Sequence, residues 1–154
     1  MSLLLPVLAA ASSQTPSGEF VAGHSYYQVP GSSKTGAPEN IFDGSLATYF
    51  GFANSDQGCW QEINFTGTLR GLTFTTVEVY ALADSLAGLT YELSVNDGTP
   101  LLVQGGPSWK AFTINGPLFK VRFDHTATRS GAGGGAIYAI RVDGKVLDTD
   151  WASS

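Results

Sequence analysis

Few side chains in this sequence combine the type and the spacing that catalysis or metal binding requires. The two histidines, His24 and His125, lie far apart, and neither has a second metal ligand within four residues in a recognised spacing, although Asp124 adjoins His125. The single cysteine, Cys59, falls in a strand-like pattern where a small buried side chain is expected. No Gly-x-Ser-x-Gly segment supplies an acyl-transfer nucleophile. We therefore predict no catalytic residue, no metal ligand and no cofactor.

The sequence also argues against a nucleic-acid site and a phosphate-binding loop, and it leaves a glycoside-hydrolase site open. The formal net charge is -5 with only 8 Lys and Arg residues, which argues against a nucleic-acid partner because phosphate binding needs clustered basic residues. The glycine-rich run 131–136 precedes a strand pattern, whereas a phosphate-binding loop must open a helix. A carboxylate pair for glycoside hydrolysis stays open, because the 13 Asp and Glu residues can meet across distant parts of the chain. An enzyme is the least favoured class.

The elements that must position any site are β-strands. The 154 residues amount to about one domain, and the 19 glycines with only 14% charged residues are typical of a turn-rich β protein. Apolar and polar residues alternate in most segments, as in strands with one buried face. We predict strands at 59–65, 72–79, 91–95, 109–114 and 119–124, and a closing hairpin around residues 143–144. A change of parity between Phe74 and Val77 indicates a bulge, and only 85–89 could hold a helical turn.

The alternation also assigns side chains to faces. In the strand at 119–124 it places Phe119 in the core and the charged residues between the apolar ones in water. In the closing hairpin, Tyr138 shares one face with Ile140 and Val142. Short strands separated by turns predict an all-β fold, an antiparallel β-sandwich of the jelly-roll type.

The first 18 residues differ from the rest of the chain. They contain a cluster of large apolar residues: Leu3, Leu4, Leu5, Val7 and Leu8. The stretch is too short to span a bilayer, and it carries no basic residue of the kind that opens a signal peptide. Because an exposed apolar patch is unfavourable in a soluble monomer, we predict an extended N-terminal arm that packs against another subunit or a particle surface. The predicted organisation is an arm at 1–18, a β-sandwich domain at 19–148 and a tail at 149–154.

The segment Ala37–Phe50, followed by the strand Trp60–Phe65, resembles the discoidin-like (coagulation factor 5/8 type C) family. Members of that family carry an Asp-Gly loop with a following threonine before a strand that contains tryptophan. The ending Ile137–Gly144 resembles their closing strand, so the resemblance extends over 20–147. It implies a sandwich of the discoidin or galactose-binding type.

The Asp-Gly loop has a physical function of its own. Asp43 and Gly44 predict a tight turn in which the aspartate caps backbone amides and Thr48 closes the loop by a hydrogen bond. Tyr49 and the phenylalanine after it are then expected to enter the core. Some family members hold a structural calcium at this loop, but this chain has Arg141 in the closing strand where an acidic ligand is wanted. We predict a structural loop without metal.

The ending 138–148 resembles the terminal hairpin of discoidin-like modules in structural proteins of tailed bacteriophages. This resemblance implies a non-enzymatic virion protein, and the main prediction is a small capsid cement or decoration protein. Its location would be the virion, assembled in the host cytoplasm. Its predicted partners are the major capsid protein and further copies of itself, as a homo-oligomer and by preference a trimer, with no nucleic acid and no membrane.

A second hypothesis is a glycan-binding module of a phage tail or a cell-surface protein. Sugars would stack on loop aromatics, for which the candidates are Tyr26, Tyr27, Phe52 and Trp109.

Overall fold

The computed structural model describes residues 25–28, 33–53, 60–65, 71–83, 91–125 and 134–147, with the side chains at 25–28, 33–35, 38, 52 and 53 outside that description. Eleven strands and one 3₁₀ helix form within these residues. The helix is Pro38–Phe42, and the strands are β1 (Ser25–Gln28), β2 (Ser33–Gly36), β3 (Phe50–Ala53), β4 (Trp60–Asn64), β5 (Phe74–Ala83), β6 (Tyr91–Val95), β7 (Leu101–Val103), β8 (Gly105–Gly116), β9 (Lys120–His125), β10 (Gly135–Val142) and β11 (Lys145–Val146).

The strands pair into two antiparallel sheets. The five-stranded sheet has the order β1-β4-β9-β6-β7, and the six-stranded sheet has the order β2-β3-β10-β5-β8 with β11 paired to β10. One core lies between them, because Leu93 and Phe123 of the first sheet belong to the same buried apolar cluster as Val79 and Ile140 of the second. The predicted antiparallel β-sandwich is confirmed.

Alternation explains why these segments become strands. Every second residue of β4, β6 and β9 is buried, as expected when one face of a strand packs on a core. Each of the predicted strand segments contains a strand, although β5 runs on to Ala83 and β8 begins as early as Gly105. The bulge predicted in β5 is present as a register shift between Phe74 and Thr76 in the pairing with β8.

The turn after β6 holds two connections together. Asn96 and Asp97 adopt φ values of 53° and 58°, which asparagine and aspartate tolerate better than most residues. The Asn96 side chain accepts hydrogen bonds from the N–H groups of Phe119 (2.9 Å) and Lys120 (3.1 Å) and donates to the carbonyl of Pro117 (2.7 Å). One residue thereby ties the β6–β7 turn to the β8–β9 connection.

The predicted closing hairpin turns at Asp143 and Gly144, with φ values of 46° and 83°. Its aspartate does more than turn the chain. The Asp143 carboxylate accepts hydrogen bonds from the N–H groups of Thr75 (3.0 Å) and Thr76 (2.9 Å). The turn therefore anchors the bulge of β5, 67 and 68 residues earlier in the chain.

Two sequence-based expectations about local structure are wrong. The 3₁₀ helix Pro38–Phe42 was not expected, although a proline at its start is the residue that helix N-termini accept best. Phe119 is half-buried rather than part of the core cluster, because it lies in the connection before β9 and not in the strand.

Several predictions fall on residues outside the description. They concern the arm at 1–18, Cys59, His24, the helical turn at 85–89 and the tail at 149–154. Within the described ranges, the chain contains no helix long and apolar enough to cross a membrane.

Candidate functional site

Four aromatic side chains lie side by side on the outer face of the six-stranded sheet. We call Tyr49, Tyr138, Tyr80 and Trp109 the aromatic row. Tyr80 alternates with the buried core residues Val79 and Ala81 of β5, so it points away from the core. Trp109 of β8 is its cross-strand partner, with ring centroids 4.9 Å apart at an angle of 49°. This is the outward half of a regular sheet, carrying rings where polar residues are usual.

A bulge in β10 brings the third ring into the row. The pairing of β10 with β5 shifts register between Ile137 and Ala139, so the residue between them, Tyr138, faces outward. Its ring lies 5.9 Å from that of Tyr80, edge to face, and 5.3 Å from that of Tyr49. The expectation that Tyr138 shares a face with the core residues of this strand is therefore wrong, because a bulge changes the parity of the alternation.

The fourth ring, Tyr49, is 37% exposed. The expectation that it enters the core is wrong, whereas Phe50 is fully buried as predicted. Tyr49 is held through its backbone: the Asn40 side chain donates a hydrogen bond to its carbonyl oxygen (3.0 Å). On the other side, Gly36 approaches so closely that a Cβ there would overlap the same oxygen, and its φ of 71° also favours glycine.

The polar tips of the row have no hydrogen-bond partner among the described residues. Within the part of the chain that the structure describes, no hydrogen bond involves the hydroxyls of Tyr49, Tyr80 or Tyr138. Burial raises the pKa of Tyr138, and the neighbouring Tyr49 and Tyr80 raise it further. The Tyr138 hydroxyl therefore stays neutral at ordinary pH and can both donate and accept hydrogen bonds.

An ion pair borders the row at Trp109. The guanidinium of Arg141 donates to Glu78 in a side-on pair, with Nε 2.7 Å and Nη2 2.8 Å from the two carboxylate oxygens. Its Cζ lies 4.1 Å from the centroid of the Trp109 ring. The bond to Arg141 lowers the pKa of Glu78, and the same bond raises the pKa of Arg141. The pair places fixed donors and acceptors beside an aromatic surface.

The loop that leads into Tyr49 contains the predicted structural residues. The Asp43 carboxylate accepts hydrogen bonds from the N–H of Ser45 (2.8 Å) and from the hydroxyl of Thr48 (2.5 Å). Gly44 follows with a φ of 77°. The hydrogen bonds match the geometry expected for this loop, and its contribution to stability stays a prediction. Among the described residues no group of three or more His, Cys, Asp or Glu side chains could hold a metal ion.

The outer face of the other sheet has a different character. We call Trp60, Glu62, Arg122 and Asp124 the charged face; they are neighbours on β4 and β9. Arg122 lies 3.0 Å from Glu62 and 2.9 Å from Asp124, and its Cζ is 4.4 Å from the Trp60 centroid. Of the three β9 residues expected in water, Arg122 and Asp124 are half-buried in this ion-pair cluster. The third, Lys120, is also half-buried and pairs with Asp97 at 3.0 Å.

The four sequence-predicted stacking residues are divided between the two sheets. All of them belong to strands rather than loops, with Tyr26 and Tyr27 in β1 of the five-stranded sheet and Phe52 and Trp109 in the six-stranded sheet. The side chains of the first three lie outside the description.

Sequence reasoning missed most members of the site that the structure assembles. Tyr80 could have been found from its place between Val79 and Ala81, because alternation puts it on the outward face of the strand. Tyr138 could not have been found, because no residue pattern marks the bulge in β10.

Comparisons with known proteins add solved structures only. No family model and no curated protein matches the sequence. The chain is similar to a chitosan-binding module of a chitosanase/glucanase from Paenibacillus sp. IK-5, at 20% identity and a TM-score of 0.46, over 88% of this chain and 98% of that one. It is also similar to TmCBM61 in complex with β-1,4-galactotriose, at 15% identity and a TM-score of 0.44, over 85% and 94% of the two chains.

A third similar structure is the arabinofuranosyltransferase AftD from Mycobacteria, at 13% identity and a TM-score of 0.46. That match covers 81% of this chain and 12% of AftD, so the chain spans a small part of that protein.

Proposed function

We propose that this domain is a non-catalytic module that binds a glycan on the outer face of its six-stranded sheet. The observation that carries the proposal is the aromatic row, in which four partly exposed rings lie together and three hydroxyls have no hydrogen-bond partner within the described ranges. Sugars present apolar C–H faces surrounded by hydroxyl groups. Aromatic rings with polar tips match both features at a small cost in side-chain entropy.

The ion pair beside Trp109 supports the same function. Glu78 and Arg141 hold each other in place, so their remaining lone pairs and N–H groups point in fixed directions. A few fixed polar groups next to an apolar surface are what orients a small ligand. Adjacent hydroxyls of a sugar ring could bond to the carboxylate and the guanidinium at the same time.

The test compares two Arg–Trp pairs in one molecule. We expect Trp109→Ala to weaken binding to soluble polysaccharides by about tenfold or more, because it removes the largest ring of the row, the one next to the Glu78–Arg141 pair. The matched control is Trp60→Ala, which removes the corresponding ring from the charged face. Affinity electrophoresis gives the binding, and thermal unfolding shows that both variants fold. Equal loss in both variants would contradict a site on the aromatic row.

A second candidate function is the capsid cement role, and one observation favours a protein partner of some kind. Leu101 and Leu102 of β7 are 37% and 50% exposed, and β7 lies at the end of the five-stranded sheet, pairing with β6 alone among the described strands. Apolar side chains on a sheet edge are typical of contact surfaces. The test is deletion of residues 2–12 followed by binding to assembled particles; unchanged binding would reject the predicted role of the arm.

A further inference from the structure

The aromatic row runs across the strands of the six-stranded sheet. Its members come from, or directly precede, four strands that are neighbours in the order β3-β10-β5-β8. With about 4.8 Å between neighbouring strands, the row is about 14 Å long. Its rings follow one another at 4.9–5.9 Å, a spacing close to the repeat of one sugar ring in an extended chain. The surface is long enough for several sugar rings.

Both ends of the row are open in the part of the chain that the structure describes. At one end, Trp109 lies on β8, the last strand of the sheet. At the other end, Gly36 of β2 lies next to Tyr49 and has no side chain to block the surface. Among the described residues, none therefore stops a ligand from continuing past the row in either direction, unlike a terminal sugar held in a closed pocket.

The rings of the row are not coplanar. Successive rings are inclined by 50°, 79° and 49° to one another. A crystalline polysaccharide presents a flat surface, which only coplanar rings can contact together. A single chain in solution can twist from one sugar to the next and follow inclined rings.

The charges of the protein narrow the class of polysaccharide that the row can bind. Glu78 and Arg141 neutralise each other, and the protein as a whole carries a formal charge of -5. Among the described residues, the row has no unpaired cation that could bind a negatively charged sugar. A polymer of uronic acids would be repelled, whereas a neutral chain would not.

We infer that the aromatic row binds an internal stretch of a single, extended, neutral polysaccharide chain that runs across the strands from Tyr49 to Trp109. This inference rests on the proposed glycan-binding function and adds the form of the ligand. It assigns Tyr49 a contact with the sugar furthest from the Glu78–Arg141 pair. Tyr49 is therefore expected to contribute to the binding of long oligosaccharides and not of short ones.

The experiment begins with the whole chain and soluble β-1,4-glucan, β-1,4-xylan and β-1,4-galactan, with polygalacturonate and microcrystalline cellulose as contrasting probes. We expect retention by at least one soluble neutral polymer and none by the other two materials. Oligosaccharides of one to six rings from the retained polymer are then titrated by calorimetry. The affinity should rise about tenfold or more between two and four rings and level off beyond, as successive rings of the row are engaged.

Variants separate the row from the rest of the surface. Tyr49→Ala should weaken the four-ring ligand about tenfold and leave the two-ring ligand unchanged. Leu46→Ala is the control, because Leu46 is 45% exposed on the same loop but outside the row. A single sugar that binds as tightly as four rings would overturn the inference and leave the proposed function intact, as would retention by microcrystalline cellulose. Binding of none of the neutral polymers would remove the proposed function and the inference with it.

Discussion

The two outer faces of the sandwich use the same unit, an arginine over a tryptophan, in different surroundings. On the charged face Arg122 is shared by Glu62 and Asp124, and Asn64 donates a further hydrogen bond to Glu62 (2.8 Å). On the aromatic row Arg141 has a single carboxylate partner, and the tyrosine hydroxyls beside it have none among the described residues.

The difference lies in where the polar groups are satisfied. The charged face satisfies its polar groups internally, so it contributes to holding β4 and β9 together and offers little to a ligand. The aromatic row leaves polar tips and ring surfaces to solvent, a state that binding would improve. One face is therefore expected to affect stability, and the other to affect binding.

The largest expected effect on stability is that of Arg122→Ala. It leaves Glu62 and Asp124, whose side chains are only 14% and 27% exposed, without the cation that they share. We expect a loss of about 2 kcal/mol in the free energy of unfolding, between the values for exposed and buried ion pairs. Arg141→Ala, which frees one carboxylate, should cost about 1 kcal/mol or less. Urea unfolding measures both, and equal costs would remove the distinction between the faces.

The next effect concerns the loop that positions one end of the aromatic row. Asp43→Ala removes the acceptor for Ser45 and Thr48, and because Asp43 is exposed we expect a loss of about 1 kcal/mol in stability. Asp43→Asn retains an acceptor oxygen and should lose less. The same alanine variant should weaken four-ring ligands through Tyr49. A calcium chelator should change the melting temperature much less than the alanine variant does; an equal drop would indicate a bound metal.

How much of this could be predicted from sequence differs between the faces. The strands, the turns at residues 96–97 and 143–144, and the bulge in β5 follow from local alternation and turn residues. The partners of Arg122 and Arg141 do not, because Glu62 and Glu78 lie 60 and 63 residues away and only the sheet register makes them neighbours.

The arrangement of the aromatic row could not be predicted from sequence for a different reason. Alternation alone assigns Tyr138 to the core, and one extra residue in β10 reverses that assignment. Tyr49 lies at the end of a loop, and a loop has no alternating pattern. The sequence therefore does not show whether Tyr49 or Phe50 faces the core. A site made of outward positions is thus sensitive to every single-residue shift in the strands that carry it.

Acid should weaken the ion pairs on both faces, because each contains a carboxylate with a lowered pKa. Burial raises the pKa of Glu62, but hydrogen bonds from Asn64 and Arg122 more than offset it, and the bond to Arg141 lowers the pKa of Glu78. Both groups are more acidic in the folded state, so their stabilising contribution is full above the ordinary value of 4.5 and is lost as the pH falls through their lowered pKa values.

Two measurements between pH 7 and pH 3 test this. In urea unfolding, Glu62→Gln should flatten the pH dependence of stability. In binding titrations with a neutral oligosaccharide, Glu78→Gln should flatten the pH dependence of glycan binding. If Glu78→Gln bound a neutral oligosaccharide as the unmodified protein does at every pH, the ion pair would have no part in the site.

The smallest expected effect concerns the ionisation of Tyr138 at alkaline pH. Burial, with the neighbouring Tyr49 and Tyr80, raises the pKa of Tyr138 above its ordinary value of 10.0. Because the folded state holds this proton more tightly, the associated stability is full below about pH 10 and is lost as the pH rises through the raised pKa. Ultraviolet absorbance of the folded protein should show a late tyrosinate phase that Tyr138→Phe removes. A saturating neutral oligosaccharide should move that phase to still higher pH, because a ligand packed on the row excludes water from the phenol. No shift with ligand, in a protein that binds it, would place the ligand away from Tyr138 and return the charged face to consideration.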